Sequence, residues 1–308
     1  MHANFCVHLL TGAGIYSDNL EQTSFSAFGI SEAMTSAQDS LFVSYSQGPR
    51  ITAEPIPFGQ QGIIYVNPTD LPYDTASSSY TCPYDGSYFV SISVGIRSGQ
   101  MAQVLLTADY EPINFELTRT SQATNGLTTL SRSVLVSCST GTSLQVQLVN
   151  GEITSGDSAA DNLASLTVIP YDPVGNSSAW ALYRTCSWSA TNASKVLIFD
   201  QIEILDAATY HANNGTLKVS KSGTYMVYLS AATVPNQPMN LVVRRNGVDI
   251  VGLVSSSTES DGTDMVEHGV IVELDAGDIL SAVGANGSSL FSDAGQQVGF
   301  WGFLIYDA

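Results

Sequence analysis

The chain has 308 residues, a formal net charge of −18 at pH 7 and only 12% charged residues. A net charge of this sign repels phosphate backbones and anionic bilayers, so the sequence predicts neither a nucleic-acid partner nor insertion into a membrane. The sequence contains no run of about 18 apolar residues, the length that a membrane-spanning helix needs. The abundance of Val, Thr, Ser, Tyr and Gly, without a sustained helical apolar stripe, favours an all-β protein.

Short strands are predicted through the first half of the chain. Residues 1–40 have weak patterning and are predicted to form an N-terminal arm. Asp85-Gly86 favours a tight reversal, and Tyr88, Val90 and Ile92 after it alternate with residues of a second face, which is typical of a half-buried strand. The sequence therefore predicts a hairpin around Asp85-Gly86. Further strands are predicted over 41–45, 56–58, 63–66, 101–107, 129–137, 143–148 and 163–169.

The first half is repeated in the second. Gly86-Ser-Tyr-Phe-Val90 reappears as Gly223-Thr-Tyr-Met-Val227, and Asn150-Gly151 reappears as Asn286-Gly287. Solenoid repeats have periods of about 20 to 50 residues, so a repeat this long indicates whole domains. We therefore predict an arm at 1–40, a domain at 41–172, a linker at 173–178 and a domain at 179–308.

The second half also has the pattern of a β-sandwich or jelly roll. Asn246-Gly247 favours a type I′ turn within a hairpin over 241–250. Strands are also predicted over 179–183, 270–274, 279–283 and 298–306, and many short strands separated by turn residues are typical of such folds.

Several motifs together carry a family resemblance. Tyr73-Asp74, Tyr80-Thr-Cys-Pro83 and Gly86–Val90 resemble the signature of the C1q globular domain. The matching pieces of the second half are Gly223-Thr-Tyr225, Leu241–Gly247, Leu274–Asp278 and Phe300–Tyr306. Two departures stand out: the first half lacks the aromatic and glycine residues of the closing strand, and the second half has Val219-Ser220 in place of Cys-Pro. The chain has no Gly-X-Y collagen stem.

The resemblance implies two tandem C1q/TNF-like jelly-roll β-sandwich domains, an all-β fold. It also implies packing as a trimer, a secreted, extracellular protein and a recognition role, often with calcium bound in loops. Two such domains in one chain could stack as two trimeric layers or join different trimers into a net. The first residues lack the basic region of a secretory signal, which leaves a removed signal, another export route or no export as alternatives.

Candidate calcium ligands occur in two acidic segments. Carboxylate oxygens on flexible turns suit calcium, although the alternative is an ordinary solvated acidic loop. The candidates are Glu259, Asp261 and Asp264 in one loop, and Asp275 and Asp278 beside Gly277. No cofactor is required by the sequence.

No catalytic motif is found, and the four histidines are scattered, so the sequence predicts a protein that is not an enzyme. Glycosylation sequons begin at Asn176, Asn192, Asn214 and Asn286. Cys6, Cys82, Cys138 and Cys186 have no CxxC spacing, and their pairing is open among three full connectivities, with Cys6 also able to link two chains.

A set of large side chains lies on the strand face opposite the predicted core. They are Phe89, Met226, Tyr228 and Trp301. In a lone molecule they would form an exposed apolar patch, which indicates a trimer interface; the alternative is a platform for sugars.

The leading hypothesis is a non-enzymatic, secreted, trimeric recognition protein that binds glycans or other repeated microbial surface ligands by multivalency. The alternative is a structural protein of the extracellular matrix or of filaments, which assembles from C1q-like trimers. A third hypothesis is a viral or bacterial surface jelly roll that only resembles this family.

Overall fold

The computed structural model describes residues 41–45, 55–58, 60–65, 72–97, 100–120, 127–154, 164–171, 178–256 and 265–307. The predicted arm, Cys6, Asn176, most of the predicted linker, and the acidic residues Glu259, Asp261 and Asp264 lie outside these ranges. Every regular element within them is a β-strand, which confirms the predicted all-β fold. No helix in this part of the chain is long and apolar enough to span a membrane.

The described residues of the first half form ten strands. They are β1 (Leu41–Tyr45), β2 (Gln60–Tyr65), β3 (Tyr73–Asp74), β4 (Ser79–Thr81), β5 (Gly86–Arg97), β6 (Met101–Ala108), β7 (Glu111–Thr120), β8 (Leu127–Cys138), β9 (Ser143–Gly151) and β10 (Ser165–Tyr171). They build two five-stranded sheets with the orders β2-β1-β10-β5-β8 and β3-β4-β9-β6-β7.

Within the described part of the second half there are thirteen strands. They are β11 (Ala179–Arg184), β12 (Trp188–Ser189), β13 (Lys195–Val196), β14 (Gln201–Asp206), β15 (Ala208–His211), β16 (Thr216–Val219), β17 (Gly223–Thr233), β18 (Pro238–Arg245), β19 (Val248–Ser256), β20 (Met265–Leu274), β21 (Ile279–Gly284), β22 (Ser289–Phe291) and β23 (Val298–Asp307). One sheet contains β14-β11-β23-β17-β20 with β22 and β12 added, and the other has the order β15-β16-β21-β18-β19 with β13 on β21.

The two halves therefore have the same strand order once corresponding strands are matched. The sheet β2-β1-β10-β5-β8 corresponds to β14-β11-β23-β17-β20, and β3-β4-β9-β6-β7 corresponds to β15-β16-β21-β18-β19. Strands β12, β13 and β22 have no counterpart among the described strands of the first half. Each half is thus a two-layered sandwich whose apolar residues lie between its sheets.

The predicted alternation in β5 is confirmed. Tyr88, Val90, Ile92, Val94 and Ile96 are all fully buried in the core of the first half. The Asn246-Gly247 hairpin is also present between β18 and β19, and both residues have the positive φ angles, 52° and 85°, that a type I′ turn requires.

The hairpin predicted around Asp85-Gly86 is wrong. Strand β4 pairs with β9 in one sheet, whereas β5 pairs with β10 and β8 in the other, so residues 82–85 cross between the two sheets. The carboxylate of Asp85 accepts hydrogen bonds from the backbone N–H and the hydroxyl of Thr140, at 2.6 and 2.9 Å. Asp85 therefore anchors the crossing to the turn after β8.

Candidate functional site

The candidate site is built from the inner faces of the two halves, meaning the sides of the β1- and β11-containing sheets that point away from their own cores. In the first half, strand register places three rows of residues on this face. The rows are Ser165, Ser93 and Ser131; Thr167, Ser91 and Ser133; and Ile169, Phe89 and Leu135. These three rows are therefore rich in hydroxyl groups and contain one aromatic residue, Phe89.

The inner face of the second half is aromatic at the matching positions. Its rows are Gly299, Ser230 and Glu267; Trp301, Tyr228 and Gly269; and Phe303, Met226 and Ile271. Gly269 makes room for its neighbour on the next strand, since a Cβ added there would lie 2.5 Å from Cε2 of Tyr228. The two halves thus share a strand order but present different chemistry on this face.

Aromatic rings join the two halves. The rings of Tyr228 and Trp301 stack with centroids 4.2 Å apart and an interplanar angle of 9°. Phe89 of the first half lies 5.3 Å from the Trp301 ring, 6.2 Å from the Tyr228 ring and 6.1 Å from the Phe303 ring. The indole Nε1–H of Trp301 donates to the backbone carbonyl of Ser133 at 3.0 Å. Trp301 therefore makes both apolar and polar contacts with the first half.

Polar groups of β8 and β20 meet beside these rings. The backbone N–H of Ser133 donates to Oε2 of Glu267 at 2.7 Å, and the Ser133 hydroxyl donates to Oε1 at 3.3 Å. Burial raises the pKa of Glu267 above its ordinary value, although the hydrogen bonds from Ser133 and the charge of Arg132 act in the opposite direction. Burial also raises the pKa of Tyr228 to about 12, and the neighbouring Glu267 adds to this effect.

Arg132 is a buried charge at the same contact. Its side chain is 1% exposed, and its guanidinium donates to the carbonyl oxygens of Gly295, at 3.2 Å, and Gln296. Both carbonyls belong to the second half, so the guanidinium of a residue in the first half finds hydrogen-bond acceptors in the second half. A buried charge without partners is strongly destabilising. The burial of Arg132 therefore depends on the contact between the two halves.

The contact between the halves is directional. Strand β8 of the first half packs against β20, β14 and β23 of the second, and β7 packs against β20. The counterpart of β8 is β20, and the counterparts of β14 and β23 are β2 and β10. If the two halves packed symmetrically, β20 would also pack against β2 and β10. Neither contact is among the main contacts of the described strands. Apart from the contact between the corresponding strands β8 and β20, the two halves therefore use different surfaces, as in a head-to-tail interface.

The structure brings together all four residues predicted to form a trimer interface. Met226, Tyr228 and Trp301 lie on the inner face of the second half, and Met226 and Trp301 are buried there. Phe89 packs against the Tyr228 and Trp301 rings from the first half. The apolar flank is thus covered within one chain, and its contact with a sister copy stays a prediction.

The predicted acidic site beside Gly277 is occupied by an internal network. Asp278 pairs with Arg245 at 2.7 Å and accepts hydrogen bonds from the Asn246 amide at 2.6 Å and the Asp275 N–H at 2.8 Å. Burial acts to raise the pKa of Asp278, but these hydrogen bonds and the charge of Arg245 together lower it. Asp275 contacts the same Arg245 at 3.2 Å.

This network makes the pair around Gly277 a poor cation site, because an arginine already provides the positive charge. Within the described ranges, no group of three or more His, Cys, Asp or Glu side chains is arranged to hold a metal ion. Calcium binding, including that of the acidic loop at 259–264, stays a prediction.

Three of the predicted glycosylation residues are described, and all are exposed: Asn192, Asn214 and Asn286. Oδ1 of Asn214 accepts hydrogen bonds from the N–H and hydroxyl of Thr216, the third residue of its sequon. Side chains at these positions are open to solvent, as modification requires.

Sequence reasoning missed Arg132 and Glu267. The available signal was in β8, where Arg132 occupies the same period-two register as the buried residues Leu130 and Val134. A charge at an inward position of a strand indicates a buried partner. No comparable signal distinguishes Glu267 from an exposed glutamate.

Comparison with known families identifies the second half. Residues 179–305 match the family model described as C1q domain. This part of the chain is a C1q domain. It contains the aromatic inner face and Glu267, and the resemblance inferred from its motifs is confirmed.

The chain is also similar to several solved structures, each at low sequence identity. The globular domain of zebrafish complement 1qA is 18% identical, with 42% of this chain and 99% of that chain covered and a TM-score of 0.35. Murine APRIL at pH 5.0 is 16% identical, with 42% and 100% covered and a TM-score of 0.36. Rabbit GITRL is 20% identical, with 40% and 97% covered and a TM-score of 0.29.

Proposed function

We propose that this chain is a secreted, non-enzymatic recognition protein that forms trimers and binds glycans or other repeated ligands through several weak sites at once. In this proposal residues 41–172 are a second C1q-like domain, preceded by the arm at 1–40 and joined by the linker at 173–178 to the C1q domain at 179–308. The observation that carries the proposal is the identical strand order of the two halves, combined with their head-to-tail contact.

Self-assembly is supported because the converse contact, of β20 with β2 or β10, is absent from the main contacts of the described strands. The β20 edge of the C1q domain corresponds to the β8 edge that the first half uses for packing. The β2-β1-β10 side of the first half corresponds to the β14-β11-β23 side that receives that edge. A head-to-tail contact that repeats gives a closed ring if its rotation closes. If that rotation is three-fold, a third jelly roll, supplied by a second chain, would complete a ring of three jelly rolls.

A structural scaffold is the second candidate function, and the same observation favours it. Both complementary surfaces lie on one chain, so a contact whose rotation does not close would link chains into an open filament. Light scattering and native mass spectrometry over a range of concentrations distinguish the two candidates. A fixed oligomer supports the recognition protein, and growth with concentration supports the scaffold.

Ligand binding is tested by a glycan array carrying sialylated, mannosylated and bacterial sugars, read with and without a chelator. Binding that the chelator abolishes supports recognition through a calcium site, and binding that it leaves intact supports recognition without one. Failure to bind any of these sugars contradicts the glycan-binding proposal.

The exposure of Asn192, Asn214 and Asn286 supports glycosylation, and a glycan on them would in turn indicate secretion. Expression in eukaryotic cells, followed by enzymatic deglycosylation of the protein in the medium, tests both. A loss of mass on deglycosylation supports the proposal. Unmodified protein retained in the cells contradicts it.

A further inference from the structure

Cys82 and Cys138 meet at one end of the first half, although they belong to different sheets. Cys82 follows β4 and Cys138 ends β8, which pairs with Gly86 of β5 at this position. The Cys82 N–H donates to the Thr142 carbonyl, and the Gly141 N–H donates to the Cys82 carbonyl, both at 2.8 Å. These bonds hold Cys82 against the turn that follows Cys138.

The two thiols are buried and in contact. Cys82 is fully buried and Cys138 nearly so, and both belong to the apolar core of the first half. The hydrogen bond with the Cys138 side chain, followed by burial, raises the pKa of the Cys82 thiol well above its ordinary value. A thiol in this state reacts slowly, because the thiolate is the nucleophile in disulfide exchange.

The second half shows what packing alone requires at these positions. Val219 corresponds to Cys82: its N–H donates to the Asp278 carbonyl and its carbonyl accepts from Gly277 N–H, at 2.9 and 2.7 Å. Leu274 corresponds to Cys138, because it pairs with Gly223 as Cys138 pairs with Gly86. Both are buried. An apolar pair therefore fills the same place, and packing does not need two sulfur atoms there.

We propose that Cys82 and Cys138 form a disulfide that joins the two sheets of the first half. This pairing selects one of the three full connectivities that four cysteines allow. Cys186 is exposed in the second half, with its sulfur 3.1 Å from Nη2 of Arg184 and 3.7 Å from Oδ2 of Asp200.

The bond forms during folding, before the thiols are buried, with a small disulfide such as oxidised glutathione as the oxidant. The thiolate of one cysteine attacks a glutathione sulfur, which breaks the S–S bond and releases one glutathione thiolate. The second cysteine thiolate then attacks the resulting mixed disulfide and releases the other glutathione. Two protons and two electrons leave the protein, and one oxidised glutathione becomes two reduced molecules.

The test uses the full chain, unfolded in reductant and refolded in a mixture of reduced and oxidised glutathione. Free thiols are then alkylated in denaturant, and peptides are mapped by mass spectrometry without reduction. We expect the peptides of Cys82 and Cys138 to be linked, lighter by two hydrogen atoms than the sum of the free peptides, and unalkylated. Alkylation of both residues, or a link from either to Cys6 or Cys186, would overturn the proposal.

The second half supplies a matched control, the double variant C82V/C138L, which carries the residues found at the corresponding positions. In this variant the linked peptide is lost, and we expect its urea midpoint to be unchanged by reductant. The midpoint of the oxidised wild type falls when reductant is added, since a cross-link restricts the unfolded chain. A wild-type midpoint that does not move on reduction would count against the disulfide. The peptide map of the wild type is informative even if the variant fails to fold.

Discussion

At matching positions of their inner faces, the first half carries Ser91 and Thr167 where the C1q domain carries Tyr228 and Trp301. The strand order is nevertheless the same in both halves. Strand order depends on core positions such as Tyr88 and Tyr225, which are fully buried in both. One strand order therefore accommodates two different inner faces. The face of the C1q domain is aromatic, and the first half contacts the C1q domain with Phe89, the β8 edge and the buried Arg132.

The largest effect is expected when Trp301 is removed from the aromatic inner face of the C1q domain. Trp301→Ala deletes a buried ring, its stacking on Tyr228 and its hydrogen bond to Ser133. We expect a loss of about 3–5 kcal/mol in the free energy of unfolding. Urea unfolding followed by circular dichroism measures it.

Thr167→Ala is the matched control, since Thr167 occupies the corresponding position in the first half. It is only half-buried and is expected to change stability by less than about 1 kcal/mol. Equal losses for the two variants would show that the two faces are energetically alike.

A second difference lies in the cores. Gly302 of the C1q domain packs beneath Trp180, whereas the first half has the buried Val168 at the matching position. A Cβ at Gly302 would overlap the Trp180 ring and lie 2.8 Å from the Met226 carbonyl oxygen. Gly302→Ala is therefore expected to destabilise the protein by about 1–3 kcal/mol, measured as a lower Tm.

The double variant G302A/W180F sharpens this prediction. A smaller ring at position 180 leaves space for the added methyl group, so part of the lost stability should return. Strictly additive losses of stability from the two substitutions would mean that the absence of a side chain at Gly302 is not what makes room for the Trp180 ring.

Much of this fold could be predicted from sequence, because core residues in strands alternate with period two and the two halves repeat. The crossing at 82–85 could not, since Asp85-Gly86 has the same turn chemistry in a hairpin and in a crossover. Strand β7 was not predicted either. It contains Pro112 and several polar residues, and it lies at a sheet edge, where proline is tolerated.

The third prediction concerns Glu267, which stands where the first half has Ser131. Its pKa is raised in the folded protein, so the stability it contributes is complete below its ordinary pKa and is lost as the pH rises through the raised value. Relative to Glu267→Gln, the wild type should therefore lose stability between acidic and neutral pH.

Urea unfolding of both proteins at a series of pH values from acidic to neutral measures this difference. The Gln variant keeps an acceptor for the Ser133 N–H and removes the charge. A stability difference that stays constant with pH would mean that Glu267 does not titrate in this range.

The smallest effect is expected in the hairpins that correspond to each other. Asn246-Gly247 of the C1q domain is matched by Asp109-Tyr110, and Tyr110 has a positive φ of 69° while its side chain is 74% exposed. A tyrosine is strained in this region, so Tyr110→Gly should stabilise the first half by about 0.5–1 kcal/mol. The converse variant Gly247→Tyr should destabilise the C1q domain. A lower Tm for Tyr110→Gly would contradict the account of the turn.

The candidate site was only partly predictable. An apolar face on a strand must be covered, so Phe89, Met226, Tyr228 and Trp301 could be identified as contact residues. A strand face covered by a sister chain has the same apolar sequence pattern as one covered by the other half of its own chain. The sequence therefore does not show which of the two covers this face. Glu267 was not detectable, because its burial depends on the paired arrangement itself.

The most direct test of the account is a double-mutant cycle between Phe89 and Trp301, whose ring centroids lie 5.3 Å apart across the two halves. Phe89→Ala, Trp301→Ala and the double variant are compared by urea unfolding. We expect a coupling energy of about 0.5–1.5 kcal/mol, the range measured for aromatic pairs in contact. A coupling energy of zero, with the two losses simply adding, would contradict the pairing of the two inner faces.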